Sequence, residues 1–418
     1  MQCLWLTLAD PDPATNGQLI YSKGLIEAAC RAGASLTVIG LARPEHPRPS
    51  ADPRGIEWRL ADERPKPRWQ RLLTREPAAT QRGSPAMEEV LQRALAERPW
   101  DAVVFDSICA GWALRRVMRH RARSTRPPSI VYIAHNHEVT VARRIAGAAR
   151  GLRRLVKKID QWKVIDWEHR MVSAADLVTS NSPEDCQRFA TDCGGRPIVF
   201  LPPGYDGPRL ATRTIDAGVP RRAILAGSFD WQPKRVSLES FLQTAAARLS
   251  SAGIDLQIVG EVEATYLANL RRRFPSVDFV GPVADIRRYL RDARVALVPD
   301  QLGGFKLKGL DYVFHRLPIL AMRIALPGMP LEDGHSIGLF DSHTALAEGV
   351  VELIDDFAAL NARQERAYAA CDDRFDWDRI GRRLVAQMAG SADRPLRAEP
   401  GAPTVDAVSP SARLVAGK

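Results

Sequence analysis

Residues 295–321 read VALVPDQLGGFKLKGLDYVFHRLPILA. The apolar run VALV is a strand signal, and a second one, LPILA, closes the stretch. Between them lies an amphipathic segment whose start carries Gly303, Gly304, Lys306, Lys308 and Asp311. A strand, a glycine loop, a helix and another apolar strand make one unit of a parallel α/β sheet. Glycines let a ligand come close to the backbone, and amides at a helix N-terminus beside lysines form a ready anion site. A phosphate is the first expectation. Gly303 and Gly304 would then approach a pyrophosphate, Lys306 and Lys308 would neutralise it, and Asp311 would accept hydrogen bonds from ribose hydroxyls. The competing account is a glycine turn followed by lysines on a solvated helix face.

The same alternation extends in both directions. Strand-like runs occur at 3–9, 35–41, 102–107, 129–135, 177–181 and 198–203, with helical periodicity between them. In QLIYSKGLIEAACRAG, for example, Leu19, Tyr21, Leu25, Ile26 and Ala29 lie along one stripe and Gly33 marks the stop. A Pro/Gly-rich connection at 202–222 interrupts the pattern, which restarts with runs at 223–229, 256–261, 277–282, 295–300 and 317–323. This predicts two doubly wound α/β domains: residues 1–203, a linker at 204–222, and residues 223–390, the last helix being free to pack back on the first domain. Residues 43–87 offer only a short strand at GIEWRL, and 391–418 have too little apolar content to pack and are expected to be disordered.

Composition narrows the class. A chain of 418 residues exceeds one ordinary core, and its 45% apolar and 26% charged residues are those of a soluble globular protein. No uncharged apolar run reaches membrane-spanning length, and the N-terminus reads as a first strand and not as a signal peptide. The 6 cysteines are scattered without paired spacing, which favours reduced thiols in a cytosol. A formal charge of +10 points to an anionic partner. Nucleic acid is disfavoured because the basic residues are not interleaved with stacking aromatics, and no dinucleotide fingerprint follows the first strand.

Chemistry should sit on loops that follow strands, because open parallel sheets bind ligands outside the carboxyl ends of their strands. In YIAHNHE, His135, His137 and Glu138 cluster with Asn136, and histidine occurs only 8 times in the chain. From the residues alone a metal site, a contact or acid/base role for His135 and Glu138, and a structural histidine all stay open. Asp106, ending VVFD, is a further candidate carboxylate or a helix cap. Asp10 and Asp12 read as a turn. From Arg143 to Lys163 the stripe Leu152, Leu155, Val156, Ile159 and Trp162 is flanked by arginines and lysines, a pattern that suits either an anionic bilayer or ordinary domain packing.

The 295–321 stretch resembles the signature of GT-B nucleotide-sugar glycosyltransferases, especially glycosyltransferase family 4, and so do AADLVTSNSPEDCQRFA (174–190), VFLPPGYD (199–206), ILAGSFDWQPKRVSLESFL (224–242) and FVGPVADIRRYLRDARVALVP (279–299). The resemblance covers roughly residues 100–390. It implies two Rossmann-like domains facing a central cleft, the second holding a nucleotide-diphosphate sugar and the first holding the acceptor. It carries a ribose role to Asp311, a diphosphate role to Lys234 and Arg235, and backbone roles to Gly17 and Gly227. The family's first acid falls on Gly303, which has no carboxylate, and Ser228 stands where an arginine is frequent. Such enzymes usually need no metal, so the resemblance favours a sugar contact or an acid/base role for His135 and Glu138. The implied activity is glycosyl transfer, with a lipid-linked glycan of exopolysaccharide or lipopolysaccharide assembly as the expected acceptor, at the inner face of the cell membrane. A nucleotide-sugar epimerase and a non-catalytic nucleotide-sugar-binding subunit are the alternatives.

Overall fold

A computed structural model of the chain describes residues 1–48, 52–63, 74–81, 85–192, 195–229, 232–301 and 304–390. Gly303 and the tail from 391 onward lie outside the described residues, so the expectations placed on them stand as sequence readings.

The first half builds β1 (Gln2–Ala9), α1 (Gly17–Arg31), β2 (Ser35–Leu41), β3 (Glu57–Ala61), α2 (Pro85–Glu97), β4 (Ala102–Asp106), a 3₁₀ turn (Ile108–Ala113), α3 (Leu114–Arg123), β5 (Ser129–Ala134), α4 (Glu138–Ala148), α5 (Gly151–Ala174), β6 (Leu177–Ser180), α6 (Pro183–Asp192) and β7 (Ile198–Phe200). The second half builds β8 (Arg222–Ala226), α7 (Gln232–Ser251), β9 (Asp255–Val259), α8 (Ala264–Arg273), β10 (Val277–Gly281), α9 (Arg287–Arg291), β11 (Val295–Val298), α10 (Leu307–Phe314), β12 (Ile319–Met322), β13 (Gly338–Phe340), α11 (His343–Leu353), α12 (Phe357–Cys371) and α13 (Trp377–Met388).

The strands form two sheets in the orders β3-β2-β1-β4-β5-β6-β7 and β10-β9-β8-β11-β12-β13. Every pairing between these strands is parallel. Central strands such as AVVFD and VALV are buried at every position because helices cover both faces, which is why they read as unbroken apolar runs. In each sheet the strand order reverses beside the first strand, between β1 and β4 and between β8 and β11. These two switch points set the loops that can hold ligand.

Helix α13 belongs to the first domain's core: Trp377, Ile380, Leu384 and Met388 pack with Tyr21, Leu25, Ala28 and β1. Gly24 makes room for it, since a Cβ there would lie 2.1 Å from the Trp377 ring. The expected basic helix is broken in the structure. Helix α4 ends at Ala148 and α5 begins at Gly151, whose φ of +57° is left-handed, so Arg143 and the Leu155 stripe sit on different helices.

Candidate functional site

Both switch points open onto one cleft of about 890 Å³ lined by residues of both domains. On the first-domain side, Asn16 caps α1 by accepting the Leu19 N–H at 3.1 Å, which turns the chain so that Gly17 faces the cleft. Gly17 stands opposite Leu307 of the second domain, to which a Cβ would come within 3.8 Å.

Strands β4 and β5 are neighbours, with Asp106 paired to Ile133, so their ends bring Asp106 beside His135. His135 Nε2 lies 2.6 Å from Asp106 Oδ1, and Trp5 Nε1 donates to the other carboxylate oxygen at 3.1 Å. Burial pushes the Asp106 carboxyl up, but the His135 charge and the hydrogen bonds from His135, Trp5 and Ser22 outweigh it and hold the group below its usual value. Asp106 itself is 1% exposed and does not line the cleft. It stands behind His135, so its expected direct part in the chemistry is corrected to positioning the ring. The Tyr21 ring meets His135 edge-on at 5.0 Å and closes the other side.

Glu138 lines the cleft beside His135. Asn136 Nδ2 donates to its Oε1 at 3.2 Å. Burial raises its carboxyl above the usual value, with Asp185 adding to the shift and Asn136 and His135 opposing it. His137 turns the other way, as alternation along an extended segment requires: its Nδ1 meets Thr140 Oγ1 at 2.7 Å and its ring packs edge-on against Phe189. The two histidines therefore cannot share one ligand.

Sequence reasoning missed Glu168. From the middle of α5 its carboxyl accepts the N–H groups of Glu138 and Val139, each at 2.9 Å, and so caps α4 and fixes the loop that carries His135 and Glu138. Burial, together with the Glu138 and Asp185 charges, pushes this carboxyl up to about 8, against the lowering effect of the two backbone donors.

On the second-domain side, β8 and β9 end in Gly227 and Gly260, whose backbones touch: a Cβ on Gly260 would lie 1.7 Å from the Gly227 carbonyl oxygen. After β11, Asp300 is 7% exposed and forms an ion pair with Lys308 at 2.7 Å. Burial raises the Asp300 carboxyl, yet the charges of Lys308, Lys306 and Lys234 more than offset this and keep it low. Lys306 is pulled down to about 8, by burial first and then by Lys308, Lys234 and Arg144, with Asp300 opposing. Lys234, Lys306 and Lys308 all line the cleft, so three cations surround one buried carboxylate at the loop that the glycines open. Asp300 is the carboxylate of this loop that a motif alignment centred on Gly303 passes over.

Arg235, expected beside Lys234 on a diphosphate, does not line the cleft. It donates to the Phe229 carbonyl at 2.8 Å, pairs with Glu263 at 3.3 Å and lies over the Tyr266 ring, which ties α7 to α8. Gly304 has φ +93° and stands 3.1 Å, measured from a built Cβ, from Asn136 Oδ1 across the cleft. Asp311 lines the cleft from the second turn of α10. Burial raises its carboxyl, while a hydrogen bond with the Tyr205 hydroxyl and the His315 charge pull the other way.

An anion bound by Lys306 has a pH signature. A base whose charged form is already disfavoured at about 8 binds an anion best while protonated. Nucleoside diphosphate affinity should be flat below pH 8 and weaken above it by up to about tenfold per pH unit, the limit for one linked proton. Lys306→Arg should extend the flat region to higher pH. Calorimetric titration from pH 7 to 9.5 checks this, and a level affinity in the wild type would remove Lys306 from the anion site.

Residues 220–356 match the family model described as Glycosyl transferases group 1. No curated protein sequence matches the chain. Among solved structures, the chain is similar to sucrose-phosphate synthase from Thermosynechococcus elongatus, with 18% identity, a TM-score of 0.69 and coverage of 94% of this chain and 100% of that one. WaaG, a glycosyltransferase involved in lipopolysaccharide biosynthesis, aligns at 15% identity and TM-score 0.65, covering 93% of this chain and 100% of its own. Anabaena HepE in complex with UDP and glucose aligns at 16% identity and TM-score 0.60, covering 94% and 100%. The chain has the GT-B architecture, two facing doubly wound domains. The family match lies within the second domain, and the likeness of fold spans both domains.

Proposed function

We propose that the second domain holds a nucleoside diphosphate sugar and that the first domain presents the hydroxyl of a lipid-linked glycan to it. The observation that carries this reading is the cleft itself: Lys234, Lys306 and Lys308 gather around Asp300 on one wall, while His135 and Glu138 stand on the other. The acceptor oxygen bonds to the anomeric carbon, and the bond from that carbon to the β-phosphate oxygen breaks with its electron pair on the diphosphate. The acceptor proton passes to His135, or to the departing phosphate oxygen when both groups stand on one face of the sugar. The lysines stabilise the charge that grows on the leaving group, so the scheme routes no step through a metal. Asp311 holds ribose, and Gly17, Gly227 and Gly304 let backbone and ligand approach. HepE, of the same architecture, is described with UDP and glucose, which puts UDP-sugars first among the donors to try.

A thermal-shift screen of nucleoside diphosphates and their sugars, followed by turnover with the ligand that stabilises most, tests the reading. Transfer or slow donor hydrolysis supports it. Interconversion of the sugar would identify an epimerase instead, and binding without turnover a non-catalytic subunit.

The lipid-linked acceptor rests on α5. Leu155, Val156, Ile159 and Trp162 are exposed by 58, 47, 49 and 77%, and Arg153, Arg154, Lys157 and Lys158 beside them are exposed too. Among the described residues no helix is long and apolar enough to cross a membrane, so contact would be peripheral. Each basic residue near an anionic surface contributes on the order of 1 kcal/mol, weakened by salt. The protein should co-sediment with phosphatidylserine vesicles and not with phosphatidylcholine vesicles. Changing Arg153, Arg154, Lys157 and Lys158 to Gln should leave it in the supernatant. Indifference of the wild type to anionic vesicles at low salt would favour a soluble acceptor.

A further inference from the structure

The first-domain wall of the cleft differs in chemistry from the second. Glu138 and His135 are its carboxylate and imidazole, and no lysine or arginine of that domain lines the cleft among the described residues. The rest are amides, hydroxyls, the Cys109 thiol and apolar groups. Two of them, Ser107 and Gln18, touch each other. Ser107, directly after β4, has φ +70°, one of two non-glycine residues with positive φ among the described residues. Its Oγ accepts the Cys109 N–H at 3.2 Å and lies 3.5 Å from Gln18 Nε2. Gln18 Nε2 also lies 3.9 Å from Cys109 Sγ. These contacts leave the Ser107 hydroxyl hydrogen without an acceptor and the Gln18 Oε1 without a donor among the described residues, although both side chains line the cleft. A donor and an acceptor side by side match the hydroxyls of a sugar ring. Ile20, Ile108, Val141 and Ile145 supply apolar lining on the same wall.

We propose that this wall is a subsite for an uncharged glycosyl acceptor, with Ser107 donating to one of its hydroxyls, Gln18 accepting from another, and the group on its far side lying against the apolar lining of Ile20, Ile108, Val141 and Ile145. The inference rests on the transferase reading and deepens it by fixing the class of acceptor. A phosphate on the reacting sugar would meet Glu138 on this wall, while the lysines that line the cleft stand on the opposite wall and Arg144 of α4 does not line it, and desolvating a poorly paired anion is costly. On a lipid phosphate carrier, such a substrate would come from an earlier glycosyl transfer that has already placed a neutral sugar beyond the phosphate.

The test uses the full chain, the donor that turns over, and five acceptor probes: octyl β-glucoside, octyl β-galactoside, octyl β-mannoside, glucose 1-phosphate and glucose 6-phosphate. Transfer should go to a neutral glycoside. Its KM should rise about tenfold in Gln18→Ala and in Ser107→Gly, the scale of one hydrogen bond to an uncharged partner, while donor hydrolysis stays at the wild-type rate. Ser107→Gly suits a φ of +70° but gives up the bond from the Cys109 N–H, so a melting scan of both variants accompanies the kinetics and the KM rise should come with a wild-type melting temperature. An unchanged acceptor KM in both variants, preference for a sugar phosphate, or donor hydrolysis without transfer to any neutral probe overturns the subsite and leaves the transferase reading standing. Absence of both hydrolysis and transfer with every donor overturns the transferase reading, and the subsite falls with it.

Discussion

His135→Ala should lower kcat by roughly 10²–10⁴-fold, the range for losing a positioned proton-transfer group, while the Kd for nucleoside diphosphate stays where it was. The split follows from where the side chain stands. His135 is on the first-domain wall, and Lys234, Lys306 and Lys308, which the proposal gives to the diphosphate, are on the second. Asp106 is kept ionised inside the core, so it accepts the Nε2 proton of His135 and fixes a tautomer whose Nδ1 lone pair is left for the substrate. Asp106→Asn retains the volume and removes the negative acceptor. It should reproduce part of the kcat loss, on the order of tenfold or more, again without a change in diphosphate affinity. Added imidazole separates the two fates of the acceptor proton: rescue of kcat in His135→Ala marks the ring as the group that takes it, and no rescue marks the departing phosphate oxygen. Diphosphate binding and a melting scan guard against misfolding. Wild-type kcat in both variants would make the pair structural and shift attention to Glu138.

How far this site could be read from sequence depends on which contacts are local. The strand ends and the loops after them were legible, because parallel strands buried on both faces leave continuous apolar runs and ligand loops follow them. Gly17, Gly227, Lys234, Lys306, Asp311, His135 and Glu138 all line the cleft for that reason. Side chains whose partners are distant in sequence were not legible. Arg235 looks like half of a basic pair, but its fate is decided by Glu263, which only the β8–β9 pairing brings near. Glu168 looks like one more charge on a basic helix, and nothing local says that it reaches back to cap α4. The docking of α13 likewise depends on Trp377 meeting the gap at Gly24, a match of shape across the whole chain. Asp106 fell between the two cases, since its place at a strand end was visible and its burial behind His135 was not.

Gly260→Ala is the substitution expected to damage the donor site most. Gly260 follows β9 with φ +141°, a conformation that L side chains rarely adopt, and its Cα faces the carbonyl of Gly227 at the end of the adjacent strand β8. A methyl group placed 1.7 Å from that oxygen cannot be accommodated by a rotamer change, because both partners are backbone. One of the two strand ends must move by more than an ångström. Backbone strain of about 1–3 kcal/mol and overpacking of about 1–3 kcal/mol together predict a loss of roughly 2–6 kcal/mol. At about 2–4 °C per kcal/mol for a domain of this size, the melting temperature should fall by roughly 4–24 °C. The displaced strand end is the one that sets Gly227 and Ser228 in the cleft wall, and the bond from the Phe229 N–H to the Glu261 carbonyl at 2.8 Å ties the two loops together. Nucleoside diphosphate affinity should therefore fall with stability. Gly147→Ala is the matched control: a helical glycine with nothing within 4 Å of the added Cβ, it should be neutral or stabilise by about 0.5–1 kcal/mol. A Gly260→Ala protein that melts with the wild type and binds nucleoside diphosphate equally well would show that the β8 and β9 loops are not held in contact, and the donor wall described above would have to be redrawn.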